Sequence, residues 1–164
     1  MPTKQATKQA TKSKYEARND DKVFTEAERA AVAATARERK ASAGRSPEQE
    51  RAEGLQDLRE SLAKMPADDR AMGERIHEIV SAAAPTLVPK TYYGMPAYGT
   101  PGKDGKTIAF YKAKSKFKVR YSTFGFQPDA RLDDGQMWPT EFAVIELTPA
   151  VEARIAELIK KAAG

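Results

Sequence analysis

The sequence predicts an α+β protein in which an antiparallel sheet of four to six strands is covered on one face by helices that precede and follow it. Three observations carry this reading. Apolar residues recur at helical spacing before residue 85 and after residue 148, and at a spacing of two in between. The links between the extended segments are of hairpin length, which makes neighbouring strands antiparallel. Helices that flank a block of strands in sequence then pack on one side of the sheet those strands form.

The elements follow in order. Residues 1–22 repeat Thr3-Lys4-Gln5-Ala6 as Thr7-Lys8-Gln9-Ala10 and hold Tyr15 as their only aromatic, so they are read as a disordered basic tail that cannot offset the entropy of ordering. Thr25 with Glu28 is a capping-box pair that opens a helix over Glu26 to Lys40. Val32 is the only large aliphatic residue in that helix, so residues 23–45 are expected to be a loosely docked helix and a linker. The expected main domain, 46–164, begins with Ser46-Pro47-Glu48-Gln49, an N-cap, a first-turn proline and a capping-box glutamine, followed by Leu55, Leu58 and Leu62 on one helical face. Pro66 ends that helix, and Met72, Ile76, Ile79, Val80 and Ala83 mark the next. Thr148-Pro149 opens the last helix, with Val151, Ile155, Leu158, Ile159 and Ala162 on its inner face.

Strands are expected at Thr107–Tyr111, at Lys116–Tyr121 and at Phe142–Leu147, where residues alternate between two faces, and Pro101–Gly105 supplies a hairpin loop. Ile76, Ile79, Val80, Ile155, Leu158 and Ile159 are expected to pack on Phe110, Val119 and Val144.

Composition narrows the chemistry. The chain has no cysteine, which excludes disulfides, thiolate metal sites and thiol nucleophiles, and one histidine, His77. No apolar run approaches the roughly 18 residues that span a bilayer, and the N-terminus lacks an apolar signal region, so a cytoplasmic monomer with no membrane partner is expected. The net charge of +5 conceals one strongly basic block, Thr86–Tyr121, with eight basic residues against one acidic. No nucleophile–base pair stands out, so no enzyme is expected and no cofactor is required.

Three candidate sites emerge. Asp68, Asp69, Glu74 and Glu78 with His77 are the donor types that suit iron or another hard or borderline cation. Lys112, Lys114, Lys116, Lys118 and Arg120 recur at every second residue and, in an extended chain, would line one face as an anion or weak nucleic-acid site with Tyr111, Phe117 and Tyr121. Tyr92, Tyr93, Met95 and Tyr98, with Trp138, could wall a small-molecule pocket. Gly99–Thr107 ends like a P-loop but has Thr100 where glycine is needed and leads into a strand.

The blocks Tyr93-Gly94-Met95-Pro96-Ala97-Tyr98, Ser115-Lys116-Phe117-Lys118 and Leu132-Asp133-Asp134-Gly135-Gln136-Met137-Trp138-Pro139-Thr140, in that order, resemble the YdhG-like domain family. The resemblance runs from about Phe24 to the C-terminus. That family is mostly of unknown function and is similar to a bacterial frataxin-like protein proposed as an iron chaperone. The resemblance implies an α+β fold with a helix on either side of an antiparallel sheet. It also implies a weakly binding iron carrier that hands its metal to an acceptor protein, and it transfers no catalytic residue.

Overall fold

A computed structural model describes residues 25–41 and 44–164; the expected tail, 1–22, lies outside them. The order is α1 (Glu26–Ala41), α2 (Pro47–Ala63), α3 (Ala67–Ala83), β1 (Val88–Tyr92), β2 (Met95–Gly99), β3 (Thr107–Lys112), α4 (Lys114–Phe117), β4 (Ser122–Phe126), β5 (Glu141–Val144) and α5 (Pro149–Ala163). The class is α+β, with a five-stranded antiparallel sheet in the sequential order β1-β2-β3-β4-β5.

The starts of α1, α2 and α5 are the ones the sequence marks. The Glu28 carboxylate accepts the Thr25 N–H at 2.6 Å while the Thr25 hydroxyl accepts the Glu28 N–H at 3.2 Å. Ser46 and Gln49 make the same reciprocal pair at α2, and the Thr148 hydroxyl accepts the Val151 N–H at α5. Such caps satisfy N–H groups that a helix leaves without partners. α1 lies against β1, burying Ala31 while Val32 stays 54% exposed.

Leu58, Leu62, Ile76, Val80, Ile155 and Ile159 pack on Tyr98, Tyr111, Phe124 and Val144 in one core between the helices and the sheet. The Arg75 guanidinium ties α3 to α5, donating to both carboxylate oxygens of Glu152 at 2.8 Å and to Glu78 at 2.6 Å. Two expected core positions are corrected. Phe110 faces the open side of the sheet, where it joins Met95 and Ala97 beneath Tyr92, Tyr93 and Phe117. Its neighbours across the strands are Ala97 and Gly125, and its ring lies over the glycine, where a Cβ would overlap it. The β2–β3 register also slips between Tyr98 and Gly99, the kind of irregularity that defeats a face assignment made by counting in twos. Val119 is 47% exposed because its segment is not a strand.

Tyr98 carries the largest local cost in the core. Its side chain is buried, its hydroxyl has no hydrogen-bond partner, and burial holds that hydroxyl far above the ordinary tyrosine range. Tyr98→Phe is therefore expected to stabilise the fold by about 1 kcal/mol in urea denaturation, because a buried hydroxyl without a partner is a net cost. A loss of stability would mean that the hydroxyl has found a partner.

Candidate anion-binding site

The acidic candidates all sit on α3 but are not brought together. At about 100° per residue, Asp68, Asp69, Glu74, His77 and Glu78 are spread around the helix. Asp68 and Glu74 are exposed, Glu78 is engaged by Arg75, and Asp69 is 3% exposed. Among the described residues no three histidine, aspartate or glutamate side chains are grouped so as to hold a metal ion.

His77 instead packs in parallel on the Tyr98 ring, with centroids 5.9 Å apart. Burial, and secondarily the charge of Arg59, lower its pKa below the ordinary 6.5. The unfolded chain therefore binds the proton more readily than the folded one. This contribution to stability is complete above pH 6.5 and declines as pH falls through the lower folded value. His77→Gln should flatten the stability profile below about pH 6.5, measured by urea denaturation at several pH values. An unchanged slope would assign it to other groups.

Asp69 has a different task. Its carboxylate accepts the N–H of Ser115 at 3.2 Å and also the Ser115 hydroxyl, and its backbone carbonyl accepts the Tyr111 hydroxyl at 3.0 Å. The Ser122 hydroxyl accepts the Lys114 N–H at 3.1 Å. Burial pushes the Tyr111 hydroxyl up to about 12, so it remains a donor across the working range. These groups turn the chain out of the sheet at Ala113, cap the single turn α4, and leave Lys118 in the left-handed region at φ 53°.

This bend overturns the expected basic strand. Residues 113–121 contain no strand, and the place beside β3 is taken by Ser122–Phe126, which the alternation of lysines had obscured. The five cations form a knuckle instead of a row. Lys112, at the end of β3, and Lys116, in α4, hold their ammonium groups 5.9 and 5.7 Å from the Phe117 ring centre. The Lys116 ammonium also donates to the Tyr93 carbonyl at 3.1 Å, and Arg120 lies 5.1 Å from the Tyr121 ring centre. Lys114, Lys118 and Arg120 are exposed. Glu141 lies 3.9 Å from Lys112 as its counter-charge.

The aromatic candidates divide among three places and form no common pocket. Tyr92, Tyr93 and Met95 belong to the open-face cluster, and Tyr98 to the helix-side core. Trp138 lines a separate cavity of about 300 Å³ with Leu132, Phe142 and Leu158. Two of the sequence blocks do meet in space. Tyr93 and Gly94 form the two-residue β1–β2 turn with φ of 50° and 74°, the geometry for which asparagine–glycine is the usual choice. Its carbonyls are gripped by Lys116 and by the Ser61 hydroxyl, the latter at 2.7 Å.

Beside this turn lies a cleft of about 700 Å³ between α1, α2 and α4, with Arg37, Ser61, Lys64, Thr91 and Lys116 in its walls. Sequence reading missed it because Arg37 and Lys64 lie on helix faces that look like ordinary solvated surface, and only the folded chain brings them to one opening. No family model, curated protein or solved structure matches the chain. Among the described residues no helix is long and apolar enough to cross a membrane.

Proposed function

We propose that the protein is a binding module for a phosphate-rich polyanion and performs no chemistry of its own. Single-stranded nucleic acid is the partner whose chemistry would use both its cations and its rings. The observation that supports this is the knuckle Lys112–Tyr121, which gathers five cations in one short segment, sets Lys112, Lys116 and Arg120 beside the Phe117 and Tyr121 rings, and contains no acidic residue. Cations pair with phosphates, and neighbouring rings accept stacked bases without regard to sequence. An iron carrier, the role implied by the YdhG-like resemblance, needs grouped carboxylate donors, and the described residues supply no such group.

The test is fluorescence anisotropy with a labelled oligothymidylate of about 12 nucleotides. Three phosphate contacts through Lys114, Lys118 and Arg120 give a slope of about −2 in log K against log salt. Affinity should then fall about 20-fold between about 50 and 200 mM salt. The triple alanine variant at these exposed positions should lose most of the binding and most of the slope. Equal binding by the variant, or no binding by the native chain at low salt, would sink the proposal.

A further inference from the structure

The cleft beside the Tyr93–Gly94 turn carries a separate inference. Its lining carries three cations, Arg37, Lys64 and Lys116, against two carboxylates, Asp57 and Glu60. Of its two carboxylates, Glu60 accepts from the Gln56 side-chain amide at 3.1 Å, and Asp57 is already engaged in another interaction. Of its three cations, Lys116 is held by the Tyr93 carbonyl, whereas Arg37 and Lys64 have no ion-pair or hydrogen-bond partner among the described residues. The cations come from α1, α2 and α4, three elements with no reason to aim positive charge at one opening for the sake of packing. Thr91, only 8% exposed, is part of the same lining. A cavity in the range of about 300–1,000 Å³ with a few convergent polar groups is the ordinary form of a small-molecule site.

We propose that this cleft binds a small anionic metabolite, a molecule with a carboxylate or phosphate head and hydroxyl or amino groups behind it. Arg37 and Lys64 take the head, Lys116 borders it, and Thr91 with the α2 carboxylates receives the donors. α1 supplies one wall and Arg37, so the site is incomplete without that helix. The inference does not depend on the polyanion reading: Lys116 borders both surfaces, but the phosphate contacts assigned to the knuckle are made by Lys114, Lys118 and Arg120, none of which lines the cleft.

The experiment is a titration of the full-length ¹⁵N-labelled protein with inorganic phosphate, glycerol 3-phosphate and glutamate in turn. The expected result is a saturable shift of the amides of Ser61, Lys64, Thr91, Gly94 and Lys116 with one of the two organic probes. That probe should bind about tenfold or more tightly than phosphate alone, which shows whether phosphate or carboxylate is the preferred head. Arg37→Ala and Lys64→Ala, both at exposed positions, should each weaken it about tenfold, the loss of one charge-assisted hydrogen bond. The Lys114, Lys118 and Arg120 triple alanine variant should bind it as the native chain does. The proposal is overturned by shifts that fail to saturate with all three probes, by unchanged affinity in both single variants, or by binding that vanishes in the triple variant.

Discussion

Asp69→Ala is expected to destabilise the protein by about 3 kcal/mol and to release the segment around α4, because two donors that now end on a buried carboxylate would lose it together. Hydrogen bonds to charged groups contribute about 1.5–3 kcal/mol each, and the Ser115 N–H has no alternative acceptor in the turn. Urea denaturation gives the magnitude. Hydrogen exchange gives the location, with protection lost first at residues 114–121 while α5 stays protected. Asp68→Ala, one residue away and exposed, should change stability by less than about 0.5 kcal/mol. If the two variants behaved alike, Asp69 would be acting only through the charge at the start of α3. If Asp69→Ala unlocked α4 as expected, it should also weaken oligonucleotide binding, since the knuckle would no longer hold its cations and rings in place.

Gly54→Ala is the second substitution with a large expected effect, and its sign opposes helix propensity. Alanine in a helix interior is favoured over glycine by about 1 kcal/mol. At Gly54, however, α2 presses directly on β1, and a Cβ would overlap the Pro89 carbonyl oxygen, with the Pro89 carbonyl carbon and the Lys90 Cα behind it. These are backbone atoms of a paired strand, so nothing flexible can yield. The net cost should reach about 3 kcal/mol, the upper part of the range for overpacking. Equilibrium denaturation should show a lower midpoint at unchanged m-value. A stabilised Gly54→Ala protein would show that α2 stands farther from the sheet.

The four long helices, α1, α2, α3 and α5, were legible because their signals are local. Thr25, Ser46, Pro47, Thr148 and Pro149 act within three residues of themselves, and the stripes Leu58–Leu62, Ile76–Val80 and Ile155–Ile159 state which side is buried. The bend at Ala113 was not legible, because the residue that stabilises it, Asp69, is 46 positions away from the Ser115 it caps. With that partner unknown, alternating lysines and apolar residues looked like a strand. Asp69 was read as a metal ligand for the same reason: its Oδ2 caps a distant turn, and among the described residues it joins no group of three ligand side chains. The aromatic set failed for a different reason, since Met95 and Tyr98 lie on opposite faces of β2 and no composition argument separates faces. The cleft had no sequence signature at all, because Arg37 and Lys64 meet only through the packing of three elements.

The sequential strand order has a kinetic consequence. Every strand pairs with its neighbour in the chain, so each pairing closes a local loop, from the two-residue β1–β2 turn to the longer link 127–140 between β4 and β5. Short closures lose little chain entropy, and proteins built from near-neighbour contacts cross their folding barrier quickly. The exception is α5, which packs on α3 across a stretch containing the whole sheet. The meander should therefore zip up early, with the docking of α5 as the step that completes the core. Until then the part of that side of the sheet that α5 covers stays open to water, and any encounter with another unfinished chain competes with that final closure.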